Sequence, residues 1–308
     1  MSRPIFTFGS INMDLVARVP KLPKPGETLT GYSFSTVPGG KGANQAVAVA
    51  KLGGSSQMVG RVGDDAFGQE LLASLKAAGV QSDRIFIDRS TSSGVAMIAV
   101  NDQSENHIIV IAGANGNVDQ SDLDRLMLTD SSILLLQLEI PFEIVQTAAR
   151  SAKAIGATVI LDPAPAPAVF PDELYGAIDI ITPNATETEQ LVGFPIQTQA
   201  DAERAAEILQ QRGTKTVIIK MGAQGVYCAT EDDRFFMPVF PVVAIDTVAA
   251  GDAFNAGLAV ALAEGHPMRE AVRWGAASGA LSTTKSGAQS SLSDRATLDD
   301  FLRKQTKP

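Results

Sequence analysis

The chain has 308 residues, which at roughly 150 residues per domain means two units or one large α/β domain, with core enough to need no disulfide or metal staple. Hydrophobic residues make up 45% and charged residues 19%, which excludes a disordered chain; the net charge of −9 argues against a duplex nucleic acid or an anionic membrane as partner. The one cysteine, Cys228, excludes a disulfide framework and a Cys-rich zinc site, and two histidines, His107 and His266, leave no HExxH motif and no local His-based triad.

At the N-terminus the apolar run is too short for a signal peptide before Asp14 interrupts it, and no stretch reaches the ~18 apolar residues of a membrane span. A soluble, cytoplasmic protein is expected. Short apolar runs at 5–8, 57–59, 133–138, 158–161, 178–181 and 216–219 read as buried strands. Alanine-rich or amphipathic stretches at 44–51, 67–78, 142–154, 200–211, 253–263 and 268–282 read as helices. This alternation predicts an α/β fold, a mostly parallel sheet with helices on both faces, whose ligands bind outside the carboxyl ends of the strands. Residues 15–38 and 94–111 break the rhythm with period-two patterns. They predict a few antiparallel strands inserted into the α/β body, a small sheet that would form a lid and offer a dimer surface. The plainer alternative is two surface hairpins with no role.

Four stretches next to predicted strands or helices can carry chemistry. Gly39-Gly40-Lys41-Gly42-Ala43-Asn44 opens the helix 44–51, and its glycines let backbone approach an oxygen-rich ligand. It is no Walker A loop, and a plain glycine-rich turn is the competing reading. Asn184-Ala185-Thr186-Glu187 could organise a hydrated Mg²⁺ beside phosphates, but it also reads as a capping box. The run Lys220, Met221, Gly222, Ala223, Gln224 and Gly225 can hold a nucleotide or make a hairpin turn. Asp246 to Asp252 precedes a helix whose free N–H groups would suit a phosphoryl group. There Asp252 is either a proton acceptor, with a pKa lowered by the helix dipole, or a helix cap, and the two readings are even.

The order of these stretches resembles the phosphofructokinase-B family of carbohydrate kinases, in particular its ribokinase branch. The resemblance rests on Gly9 to Asp14, Gly39 to Asn44 with Gln45 to Ala48, Ala112 to Asn115, Gln137 to Glu139, Asp162 to Ala166, Thr182 to Asn184, Asp246 to Asp252 and Gly287 to Gln289. It implies a three-layer α/β/α sandwich over residues 1–308 as one kinase domain, with the lid formed by about 15–38 and 94–111. It implies ATP-dependent phosphorylation of D-ribose at O5, with deoxyribose, fructose or nucleoside phosphorylation as alternatives and a non-catalytic sugar sensor as the reading from another class. By similarity, Asn12, Asp14, Gly40, Lys41, Asn44 and Glu139 hold the sugar. Asp252 is the base, and Ala249, Ala250 and Gly251 form the anion hole. Asn184 and Glu187 make the Mg²⁺–phosphate region, and Lys220 to Gly225, Gly251 and Ala276 join Asn184 around ATP. A K⁺ ion is implied at Asp246, Val248, Ser282, Lys285, Gly287 and Ser291, and a homodimer through the lid. The chain departs from the branch's pattern in three places: Lys220 in place of threonine, Ala276 in place of a polar residue, and Ser290 in place of proline.

Overall fold

The computed structural model describes residues 2–103 and 105–305; residues 1, 104 and 306–308 of the expected domain lie outside the described residues. In chain order, β1 (Ile5–Phe8), β2 (Asn12–Arg18), β3 (Ser33–Gly39), α1 (Lys41–Lys51), β4 (Ser56–Gly63), α2 (Ala66–Ala77) and β5 (Gln81–Asp88) are followed by β6 (Gly94–Val100) and β7 (Asn106–Ile111). Then come α3 (Gln120–Leu123), β8 (Ile133–Leu136), α4 (Phe142–Ile155), β9 (Thr158–Leu161), α5 (Asp172–Tyr175), β10 (Ile180–Ile181), α6 (Ala185–Val192) and α7 (Gln199–Gln211). The strands β11 (Thr216–Lys220), β12 (Gly225–Ala229) and β13 (Arg234–Pro238) lead to α8 (Ala250–Ala263), α9 (Met268–Ser282) and α10 (Arg295–Gln305).

The main sheet has nine strands in the order β13-β12-β11-β10-β9-β8-β1-β4-β5. All neighbours from β11 to β5 are parallel, and β12 and β13 add an antiparallel edge. Side chains along a strand alternate between faces. In β8, Ile133 and Leu135 pack with α1, α8 and α9, whereas Leu134 and Leu136 pack with α4 and α7 on the other side. Both faces are dry, which explains why the central strands read as unbroken apolar runs and the fold as the expected three-layer α/β/α sandwich. α8 is apolar nearly all round because it is buried nearly all round, between α1 and α9.

β3-β2-β6-β7 form a separate four-stranded sheet from the two segments that broke the helical rhythm. One expectation is corrected here: β2 pairs with β3 and β6 with β7 antiparallel, but β2 and β6 run parallel. The cause is topological. β2 follows β1 and β6 follows β5, and β1 and β5 point the same way in the main sheet, so both strands leave its carboxyl edge in one direction.

Candidate active site

β4 and β8 lie on either side of β1, so the chain reverses its direction of travel across the sheet at β1. Such a switch point opens a crevice beyond the strand ends. Five of the parallel strands end beside polar residues there: Ser10 and Asn12 follow β1, Gln137 and Glu139 follow β8, Asp162 follows β9, Asn184 follows β10, and Lys220 ends β11. The expected strand 133–138 stops at Leu136.

The first group surrounds the start of α1. Gly40 caps this helix with φ +87°, and a Cβ there would lie 2.7 Å from the Asn12 nitrogen, so glycine answers both demands. Gly40 has no side chain to cap the helix; Glu139 does it from the β8 end, accepting from the Lys41 backbone N–H at 3.1 Å and from the Ser10 hydroxyl at 2.6 Å. Asn12 is buried, and its Oδ1 accepts from Asn115 Nδ2 at 2.7 Å; Asn115 is itself pinned to the Ile11 backbone. Asp14 follows two residues on. Burial, then the charges of Glu139 and Asp252, push its carboxyl up to about 7.

Asp252 is no cap. α8 begins at Ala250, three residues before the expected start, with Ala249 at the cap position and no side chain capping it. Asp252 turns instead toward α1, where Asn44 Nδ2 donates to its Oδ2 at 3.0 Å and Gln45 Nε2 to its Oδ1 at 3.1 Å. The expected lowering of its pKa is overturned. Burial dominates, and although the Lys41 ammonium pulls the other way, the carboxyl is raised to about 6. Burial pulls the Lys41 ammonium down, but the carboxylates of Asp252, Asp162, Glu139 and Glu187 outweigh it and hold the group above the usual lysine range.

Next to Asp252, Ala249 has φ +60° and is the non-glycine residue with positive φ among the described residues. That left-handed turn starts α8 abruptly and leaves first-turn N–H groups, including that of Gly251, without intrahelical partners. Lys220 approaches from β11. Its Nζ lies 2.9 Å from Asp162 Oδ1 and 3.3 Å from where a Cβ on Gly251 would be. Asn184 and Glu187 form the full reciprocal capping box of α6: Glu187 N–H donates to Asn184 Oδ1, and Glu187 Oε2 accepts from the Asn184 N–H, each at 2.8 Å. Burial, then Asp162, raise the Glu187 carboxyl. The run from Lys220 to Gly225 is a hairpin turn, with Met221 buried and Gly222, Ala223 and Gln224 exposed on a short 3₁₀ turn. Ala276 lies half-buried on α9, packed against the core.

The residues expected around a monovalent cation fall on two facing loops. Asp246 joins them, accepting from the Val248 N–H at 3.0 Å and the Gly287 N–H at 2.9 Å. Ser282 and Ser291 are buried, with hydroxyls bonded to the carbonyls of Gly279 and Ala288, while Lys285 is exposed. Ser290 donates to the Ser286 carbonyl at 2.9 Å. A cleft of about 820 Å³ separates this region from the small sheet, lined by Asp14, Arg18 and Ser35 on one side and Asp246, Val248 and Ser290 on the other. Ser10, Gln45, Asn115, Gln137 and Asp162 had no expected role: Ser10, Gln45 and Gln137 lie one or two positions from Asn12, Asn44 and Glu139, and Asn115 and Asp162 belong to stretches that carry the family resemblance.

Residues 3–295 match the pfkB family carbohydrate kinases. The chain belongs to this family. It is 41% identical over 304 residues to ribokinase of Haemophilus influenzae, covering 98% of this chain and 99% of that protein. It is 36% identical over 300 residues to deoxyribokinase of Salmonella typhi, covering 97% and 98%. Among solved structures, ribokinase of Arabidopsis thaliana complexed with ribose and ATP superimposes with a TM-score of 0.90 at 33% identity, covering 98% of this chain and 99% of that one. A carbohydrate kinase of the pfkB family thus accounts for a crevice in which sugar-sized polar groups meet a helix N-terminus.

Proposed function

We propose that this pfkB kinase transfers the γ-phosphoryl group of ATP to the 5-hydroxyl of D-ribose, giving D-ribose 5-phosphate and ADP. The observation that carries the reading is the grip on Asp252. One side chain at the start of α8 is held by Asn44 and Gln45 from the helix that begins the sugar region, and it lies one residue from the N–H groups of the helix start. A proton acceptor and an anion site are therefore neighbours, as phosphoryl transfer to an alcohol requires.

In this reading Asn12, Asp14, Gly40, Lys41, Asn44 and Glu139 hold the sugar hydroxyls. The buried Asn44 Oδ1 has no protein partner among the described residues, which leaves an acceptor for a hydroxyl. Asp252 orients the 5-hydroxyl and takes its proton as the oxygen–phosphorus bond forms and the bond to ADP breaks. Ala249, Ala250 and Gly251 stabilise the charge on the moving group, with Lys41 and Lys220 beside it. Asn184, the run Lys220 to Gly225, and Ala276 contact ATP. The carboxylates of Asp14, Glu139, Asp162, Glu187 and Asp252 outnumber the two ammonium groups, so the site fits a nucleotide that arrives with a divalent cation. Among the described residues no three acidic, histidine or cysteine side chains converge as a metal cage, so Mg²⁺ would be held chiefly by phosphates and water, with Asn184 and Glu187 nearby. When bound, it neutralises charge on the phosphates. K⁺ would be held by carbonyls of the loops that carry Asp246, Val248, Ser282, Lys285, Gly287 and Ser291, ordering the helix start. The small sheet acts as the lid and, through its outer face, as the homodimer surface.

An ADP-release assay with ATP, Mg²⁺ and K⁺ tests the reading, offering D-ribose, 2-deoxyribose, fructose and adenosine separately. Turnover highest on ribose and weaker in choline buffer without K⁺ is expected. A preference for 2-deoxyribose, the substrate in the name of the Salmonella typhi relative, would move the assignment by one hydroxyl. No turnover on any, with sugar raising Tm, would make the protein a sensor. Asp252→Asn should lose at least about 100-fold in kcat while still binding sugar, and near-normal kcat would remove Asp252 as the base.

A further inference from the structure

Gln45 is fully buried and lies between two acids that are themselves almost dry, Asp162 and Asp252. Its amide nitrogen is 3.1 Å from Asp252 Oδ1 and 3.4 Å from Asp162 Oδ2. The two N–H bonds of one amide thus point at two carboxylates. Which end of the amide faces them is fixed from behind, because Gln137 Nε2 donates to Gln45 Oε1 at 2.7 Å. Residues 41, 44 and 45 fall on one turn of α1, so Lys41, Asn44 and Gln45 share a face and close on Asp252 together. Asn44 holds one carboxylate oxygen and Gln45 the other, which sets the plane of the group. On its far side Asp162 is paired with Lys220, the ammonium that lies beside Gly251.

We propose that Gln45 is a positioning residue for phosphoryl transfer: its amide fixes the orientation of Asp252 and spaces that carboxylate from the Asp162–Lys220 pair. The inference rests on Asp252 acting as the base. A dry carboxylate next to a second one would otherwise swing toward Lys41 and away from the other acid, since nothing but Gln45 bonds Oδ1 among the described residues. Substrate contact is left to Asn44 and Lys41. Gln45 acts only through the acids it holds.

Gln45→Met keeps the length of the side chain and removes both donors. With ribose and ATP, kcat should fall by about 10- to 100-fold, as small misplacements of a reacting group do, with KM for the sugar changed little. The acid limb of the kcat/KM profile should also move to higher pH, because a donor that favours ionised Asp252 is gone while Asp14, Glu139, Asp162, Glu187, Lys41 and Lys220 remain around it. Unchanged kcat, a loss confined to KM, or a lower plateau with the acid limb in place would each overturn the proposal; the last is what mere loosening of the fold gives. If Gln45→Met does not fold, Gln137→Met, one bond further back, should show the same pattern at smaller size, and unchanged kcat there overturns it equally. Wild-type protein inactive on every sugar would instead sink the functional reading itself.

Discussion

Asp14 accepts no hydrogen bond from any described residue, and burial, with Glu139 and Asp252 close by, lifts its carboxyl to about 7. In the unfolded chain it titrates near 4. A carboxyl raised by folding contributes stability that is whole below its unfolded pKa and is lost as pH climbs through the folded one, here from about pH 4 to pH 7. Asp14→Asn should therefore be more stable than wild type at pH 8, by a few degrees in Tm, with the gap closing at pH 5, while its sugar affinity falls. Calorimetric scans of both proteins at the two pH values check this, and parallel pH dependences would show that another group is responsible. Asp252 is likewise a carboxyl whose charge the fold disfavours, raised to about 6 chiefly by burial. Its place at a helix start was legible in the sequence, but its ionisation was not. The dipole of α8 favours the charged carboxyl, but the side chain is buried against α1, some two hundred positions earlier in the chain.

Elements were legible where their signals are local. The ends of β1 and β9 match the unbroken apolar runs, and α9 matches its amphipathic stretch. β5 was missed because it is an edge strand that mixes polar and apolar residues, and the parallel pairing of β2 with β6 joins segments about eighty residues apart that carry no mark of each other. The same limit hid the bonds of Gln45, Asp162 and Lys220, which exist only once the ends of β8, β9 and β11 meet the starts of α1 and α8. Among the elements, α8 must hold Asp252 in place, and it does so by lying close to α9. A Cβ on Gly257 would come within 2.6 Å of Ser278 Oγ and 2.8 Å of the Trp274 carbonyl oxygen, so any side chain there forces the helices apart. Gly257→Val should cost about 1–3 kcal/mol or more in urea unfolding and lower kcat as the start of α8 shifts. An unaltered midpoint and rate would mean that the two helices can separate without disturbing the site.

At the scale of the molecule, the chain places its charge and its apolar surface on different parts. The crevice collects acids and ammonium groups, while the small sheet carries Phe34, Met97, Ile109 and Ile111 on the face turned away from the cleft, 65%, 48%, 61% and 46% exposed. Cross-strand register puts Met97 opposite Ile109, and Ile111 opposite Val95, so these side chains form a patch rather than scattered points. A second copy of the chain covering it is the dimer proposed above. Light scattering should return twice the chain mass of 32.2 kDa, and Ile109→Asp should return the single mass with weakened turnover if the small sheet is the lid proposed above. A monomeric wild type would leave the patch for some other occupant. No helix of the described residues is long and apolar enough to cross a membrane.

β7 also ends the small sheet, so one side of its backbone has no neighbouring strand among the described residues. From Asn106 to Ile111 it contains no proline and no acidic or lysine residue. Such an edge is a template on which any other extended chain can add itself. The same strand that would help two copies recognise each other should therefore promote turbidity and fibre formation on standing, most of all when dilution or heat frees it; a light-scattering time course of the purified protein checks this. Ile109→Asp would then shorten the enzyme's working life as a dimer and lengthen its shelf life as a solution.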